Sequence, residues 1–314
     1  MNVKTATAFL KQKGYEVRLG RSSASKTLLV VSDIHVGNIY AVCSAEPTIA
    51  NTAQVYRLPR RNQLLLEHWM DCRDWCQNPH LMIINGEPID GPNRKEQGGD
   101  TWSSDPNDQI DDVERLLRMH NPRRYVFTRG SNYHVKDGQM SYEEVLARRL
   151  NALGYNPDAD VQNVRHASVK RMGAHSRYVE YYLWFKVLDQ ICNFTHHTSY
   201  TSRHGQRANA VSNEMSSLEF DRGWYYPADR SIAIVGRGHV HYFTLVQSPS
   251  TTGFTTPGWK LPDGFLFKNG LGGTRPHIGA VKVIIEPNGR IEVDKLLSKT
   301  KFPKPYIADW TELN

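Results

Sequence analysis

Five short runs of consecutive apolar and β-branched residues punctuate this chain, and each stops abruptly at a polar cluster. The first is TLLVVSDIHVGN, residues 27–38, whose apolar segment ends at Asp33 and presents His35 after one spacer. An unbroken apolar run of this length predicts a strand buried on both faces, and Gly37 and Asn38 end it. The others are LMIINGEPIDG (81–91), RYVFTRGSNYH (124–134), ICNFTHHTS (191–199) and SIAIVGRGHVHYF (231–243). Helical periodicity lies between them. In 62–77, Leu65, Trp69, Cys72 and Cys76 share one face, and His68 on this helix is expected at the surface. In 108–120, Ile110, Val113, Leu116 and Leu117 do the same, giving a strand, helix, strand unit that implies parallel pairing. Ser141 and Glu144 form a capping box ahead of a further helix that Gly154 stops.

The second half is richer in aromatic and β-branched residues. Residues 178–187 and 190–195 predict a hairpin turning at Leu188 and Asp189, and a polar helix is expected over 205–220. Strand-like runs follow at 232–235, 243–247, 264–268 and 280–285, with PNGR turning into IEVDKLL. The pattern is α/β in the first half and antiparallel β in the second, hence two packed sheets flanked by helices. Residues 4–12 suggest a short helix and 15–21 an extended arm, while 40–61 and 92–108 read as loop insertions near the strand ends. The expected organisation is an N-terminal extension (1–26), one domain (27–290) and a C-terminal tail (291–314).

Composition changes this picture little. With 39% hydrophobic and 10% aromatic residues among 314, the chain can bury a sizeable core, so disorder is not the default. No apolar run of about 18 residues occurs and the N-terminus lacks a signal-like apolar stretch, so a soluble, cytoplasmic protein with no membrane contact is expected. The four cysteines form no CxxC pair, and Cys72 and Cys76 are expected to pack a helix face. The formal charge of +7 is compatible with an anionic partner such as nucleic acid.

The strand ends carry the chemistry. Carboxylates and imidazoles recur where open α/β sheets keep their ligand sites, almost without thiolates, a donor mixture suited to Mn, Fe or Zn rather than to a structural cysteine-rich zinc site. A single His or Asp in a chain with 13 histidines is ordinarily structural. Five ordered clusters are a different signal.

In this order the blocks resemble those of the calcineurin-like metallophosphoesterases, which read Asp-x-His, Gly-Asp-x-x-Asp, Gly-Asn-His, His and Gly-His-x-His. Here they are Asp33 and His35, Gly86 to Asp90, Gly130 to His134, His196 with His197, and Gly238 to His241. The likeness spans residues 27–243 and is similar to a phage-encoded branch with a spread third block. Two departures stand out: Glu87 occupies the place of the bridging Asp, and Ser131 and Tyr133 flank Asn132 in the third block.

The resemblance implies a four-layer α/β/β/α sandwich of two mixed sheets flanked by helices, with two divalent metal ions, Mn first and Fe, Zn, Ni or Mg as alternatives. Asp33, His35, Glu87 and His241 would hold one metal. Glu87, Asn132, one of His196 and His197, and His239 would hold the other, with His196 preferred in the pair. His134 would protonate the leaving oxygen or stabilise the phosphoryl charge, and Asp90 would orient a ligand histidine or shape the turn. Arg129, Arg203, His204 and Arg237 border the blocks; solvated surface is the ordinary reading, and Arg129 and Arg237 are the expected phosphate contacts. The implied activity is hydrolysis of a phosphoester by in-line attack of metal-bound hydroxide. A nucleic-acid or nucleotide phosphodiester ranks ahead of a monoester, which makes DNA or RNA the expected partner, in a host cytoplasm if the chain is phage-encoded. The alternatives are a catalytically weak nucleic-acid-binding protein that retains the fold, and a component of a phage particle. Oligomeric state is left open.

Overall fold

The computed structural model describes residues 24–93, 98–137, 140–153, 178–201, 203–220, 232–268 and 275–299. The helix expected over 4–12, the arm over 15–21, the stop at Gly154 and the end of the C-terminal tail lie outside the described residues. In chain order the elements are β1 (Lys26–Val31), the small hairpin β2 (Thr48–Ile49) and β3 (Gln54–Val55), α1 (Arg60–Trp75), β4 (Leu81–Asn85) and α2 (Pro106–Arg118). There follow β5 (Tyr125–Thr128), α3 (Asn132–Val135), a second small hairpin β6 (Lys136–Asp137) and β7 (Met140–Ser141), and α4 (Tyr142–Arg149). The second half holds β8 (Val179–Glu180), β9 (Leu183–Val187), β10 (Gln190–Thr195), α5 (Arg207–Phe220), β11 (Ile232–Arg237), β12 (Thr244–Gln247), β13 (Thr252–Thr255), α6 (Gly264–Lys268), β14 (Gly279–Ile285) and β15 (Ile291–Leu297).

Two mixed sheets stack face to face. The six-stranded sheet runs β15-β14-β1-β4-β5-β8 and the five-stranded sheet β12-β13-β11-β10-β9. Because strand side chains alternate between faces, each apolar run feeds two cores at once. Leu29 and Val31 of β1, with Met82 and Ile84 of β4, pack against Leu65 and Trp69 of α1, Val113 and Leu117 of α2, and Leu146 of α4. Leu28, Val30, Leu81 and Ile83 point the other way, onto Phe185, Phe194, Ile234 and Phe254 of the second sheet. That sheet's far face, Trp184, Ile191 and Val235, is covered by Val211, Met215 and Leu218 of α5. The layers are therefore α/β/β/α, as the resemblance implies.

Four local expectations need correction. The second sheet is mixed rather than antiparallel: β10, β11 and β13 run parallel, with β9 and β12 antiparallel at the edges. Helix α5 lies between β10 and β11 and makes the crossover that a parallel pair requires. Residues 264–268 form a helix instead of a strand, since the Asp263 carboxylate ahead of it accepts from Leu266 N at 3.1 Å, as a capping side chain does. His68 is buried against Trp259, their rings 5.5 Å apart. The strand at Thr252–Thr255 was not anticipated; Gly253 sits there because a side chain would strike Met215 and Val211 of α5.

Other features follow the pattern. Ser141 caps α4 by accepting from Glu144 N, and the four cysteines are free and buried. Residues 178–187 divide between the sheets, β8 pairing with β5 and β9 with β10, so the chain crosses from one sheet to the other at Tyr181 and Tyr182. Strand β15 pairs with β14 along seven residues, so the first sheet continues past residue 290. Among the described residues, no helix is long and apolar enough to cross a membrane.

Candidate metal centre

Strands β1, β4 and β5 of the first sheet and β10 and β11 of the second are parallel within their sheets. The blocks at their carboxyl ends are stitched together by main-chain bonds. Asp33 N donates to Gly86 O (3.1 Å), His35 N to Glu87 O (3.0 Å) and Gly238 N to His196 O (3.0 Å). Asp33 also accepts from His239 N at 3.0 Å. These turns are strained. Asp33, His35, Glu87, His239 and His241 all adopt positive φ, between 51° and 69°. Left-handed backbone costs an L-residue about 1–2 kcal/mol. Such strain persists where the surroundings over-determine it, and its clustering here marks a functional site.

The side chains converge in two groups around Glu87, with His35, Asp90 and His134 a third on the flank. The ligand atoms of Asp33, His35, Glu87 and His241 lie within 4.8 Å of one another, as do those of His196, His197 and His239. Glu87 stands between the groups. Its Oε2 is 3.0 Å from His35 Nε2 and its Oε1 is 3.4 Å from His196 Nε2. Asp33 Oδ1 is 3.2 Å from His241 Nε2 and 3.8 Å from His196 Nε2. Gly130 explains how a Glu fits: a Cβ there would lie 2.6 Å from Glu87 Cγ, so its missing side chain accommodates the extra methylene.

The outer nitrogens are occupied. His35 Nδ1 bonds Asp90 Oδ1 (3.0 Å), and His196 Nδ1 bonds the Asn85 carbonyl (2.7 Å). As donors at Nδ1, both rings turn an Nε2 lone pair inward. In the neutral rings those inward atoms, His35 Nε2 and His196 Nε2, carry no proton for the Glu87 oxygens 3.0 and 3.4 Å away, and with Asp33 Oδ1 they are buried without a hydrogen-bond partner. Buried polar atoms are seldom left so. Burial favours the neutral forms, yet the imidazoles hold the Asp33 and Glu87 carboxyls below their ordinary range. Conversely, against burial and the Lys260 charge, Asp90 and Glu87 raise His35 to about 9. Against burial, Glu87 and Asp33 raise His196 to about 10. The carboxylates thus demand positive charge at the point where the inward atoms meet, and a divalent cation held by O and N donors satisfies it. The residues fit the metals that the resemblance implies.

Asp90 is fully buried and organises the flank. Besides His35, it receives Asn38 Nδ2 at 3.1 Å and faces the Lys260 ammonium at 3.6 Å, and its backbone carbonyl is 2.7 Å from His134 Nδ1. The His134 ring lies edge-on to His35 at 4.7 Å, and burial lowers its pKa.

Three expected site residues are placed elsewhere. Asn132 is exposed, and its Oδ1 accepts from Tyr181 Oη at 3.1 Å. Ser131 takes the position beside the carboxylate, with its N 3.2 Å from Glu87 Oε1 and its hydroxyl donating to the same oxygen. Arg237 is fully buried, pairing with Glu214 and donating to Asn193 Oδ1 (2.8 Å), and Arg129 is buried with its guanidinium on Ser141 Oγ (2.7 Å). Neither arginine is directed at the clusters, because both are consumed in bracing strands to helices. Sequence reasoning missed Ser131, Lys260 and Asn38. The only available signal for Lys260 was its spacing of three from Asp263, to which it pairs at 2.6 Å.

No protein-family model matches the chain, and no curated protein matches it. Solved structures do. A putative 5'-nucleotidase from Staphylococcus aureus in complex with alpha-ketoglutarate aligns over 92% of this chain and 57% of its own, at 14% identity and a TM-score of 0.40. Vacuolar protein sorting 29 from Cryptosporidium parvum aligns over 87% and 99%, at 9% identity and 0.39. An archaeal phosphodiesterase aligns over 86% and 99%, at 11% identity and 0.38. Similarity at this level transfers no chemistry, and the functional reading rests on the site's own side chains.

Proposed function

We propose that the chain is a metal-dependent phosphoesterase acting on a nucleic-acid or nucleotide phosphodiester. The observation that carries this is the division of one carboxylate between two donor groups, Glu87 Oε2 toward His35 and Oε1 toward His196. Asp33, His35, Glu87 and His241 would hold one divalent cation, and Glu87 with the histidines after β10 and β11 the other. Such a pair, when bound, would neutralise phosphoryl charge and lower the pKa of a water.

The chain's own groups supply the rest. Asp90 fixes His35 through Nδ1, and its carbonyl fixes His134 through the same atom, leaving His134 Nε2 to exchange a proton with the leaving oxygen. Lys260 keeps Asp90 anionic against the cost of burial.

A basic, aromatic flank favours a nucleic-acid diester over a small monoester. His277 N donates to the His241 carbonyl (2.8 Å), and Phe243 N donates to His277 Nδ1 (3.0 Å). Around it, Arg207 lies 4.4 Å from the Tyr242 ring and Lys295 4.7 Å from the Phe243 ring. Burial lowers the His277 pKa, and Arg207, His204 and Lys295 add to the effect. A polymer carries phosphates beyond the scissile one, and in this reading Arg207 and Lys295 would meet them.

Hydrolysis of bis-p-nitrophenyl phosphate and p-nitrophenyl phosphate after chelation, with Mn added back, tests the reading. The expected result is metal-restored turnover, greater on the diester, that disappears in Asp33→Ala. Salt-dependent retention of an oligonucleotide without turnover on it would instead favour the binding protein.

A further inference from the structure

We infer that the second cation site is a three-histidine site, closed by His196, His197 and His239, with His197 in the place that the resemblance gives to the amide of Asn132. This rests on the proposed metal centre and departs from the ligand set expected for it. The three rings form a nearly regular triangle: the centroids of His196 and His197 are 5.1 Å apart, those of His196 and His239 5.3 Å, and those of His197 and His239 5.2 Å. Each pair meets edge to face, at 60° to 76°, and no two rings stack. Their ligand atoms lie within 4.8 Å of one another, and Glu87 Oε1 supplies an oxygen 3.4 Å from His196 Nε2. Three nitrogens and a neighbouring carboxylate oxygen are the donor number and type that a four-coordinate site takes.

The amide is not available to that set. Asn132 opens the short helix α3 and accepts from Tyr181 through its Oδ1; exposure does not separate it from His197 and His239, which are exposed as well. The spread of the third block is the physical cause: Ser131 follows Gly130 directly and places its N–H and hydroxyl on Glu87 Oε1, while the next residue swings outward. The two sites then differ in kind. The first has two carboxylates and two imidazoles; the second has no carboxylate but the shared one. A nitrogen-rich tetrahedral site suits Zn or Co, whereas the oxygen-richer site suits harder cations such as Mn.

The test is metal content per chain after Zn loading and gel filtration, together with the visible spectrum of the Co-loaded protein. Wild type is expected to hold two ions, His197→Ala one, and Asn132→Ala two. Co in the second site is expected to give a tetrahedral visible band that is lost in His197→Ala and kept in Asn132→Ala. Thermal unfolding of each variant checks that it folds, and His197→Gln, which keeps a polar side chain, stands in should the Ala variant fail. Two ions in wild type and in a folded His197 variant, or loss of one in Asn132→Ala, would overturn the three-histidine assignment alone. No ion bound by wild type would overturn it together with the metal centre.

Discussion

Individual side chains set the chemistry proposed for this site. The Glu87 carboxylate is fitted by Gly130 behind its Cγ and Ser131 on its Oε1. Shortening it in Glu87→Asp withdraws the oxygens from His196, and metal affinity is expected to fall about 10–100-fold, measured by competition with a chelating dye. An unchanged or improved affinity would show the Glu to be a compromise. His134 makes a prediction that depends on the leaving group. A nitrophenolate needs little help from an acid, whereas a nucleoside alkoxide needs much. His134→Gln should therefore lower kcat on a dinucleotide about 10²–10⁴-fold and act far less on bis-p-nitrophenyl phosphate. Equal losses on both would remove the proton-transfer role.

At the scale of elements, the helices and sheets bring these residues together by bracing the turns between them. Ser141 caps α4 and also receives the Arg129 guanidinium at the start of the third block. Ser141→Ala should cost about 1 kcal/mol or more in chemical denaturation, since it removes a cap and one of the Arg129 hydrogen bonds. Much of this scale was legible in sequence. The doubly buried strands announce themselves as unbroken apolar runs, and the strand-end Asp and His clusters fall where such strands stop. What was not legible depends on contacts distant in sequence. Nothing in Arg237 itself reveals that Glu214 and Asn193 will claim it, and Thr252–Thr255 becomes a strand by pairing with β11 and β12. Nothing in the third block reveals that Asn132 Oδ1 will accept from Tyr181, far along the chain.

For the whole molecule, stability and the site are linked through burial. Burial raises the Glu143 carboxyl to about 7, against the opposing charge of Arg129 3.9 Å away, and Glu143 also accepts from Gly130 N. A carboxyl whose folded pKa exceeds its unfolded value near 4.5 favours the folded state most at low pH. Its contribution declines as pH rises from about 4.5 to about 7, by on the order of 3 kcal/mol. Glu143→Gln keeps an oxygen for Gly130 N and lacks the titration, so its stability relative to wild type should rise across that interval in denaturant unfolding. Parallel pH profiles for the two proteins would contradict the assignment.

The central claim is that Glu87 joins two cations in one centre. Electron paramagnetic resonance of the protein loaded with excess Co, an ion that both donor sets accept, and freed of unbound ion tests it most directly. The account predicts an exchange-coupled spectrum from wild type that gives way to isolated-ion signals in Glu87→Gln. An isolated-ion spectrum from wild type, or no bound Co at all, would contradict it.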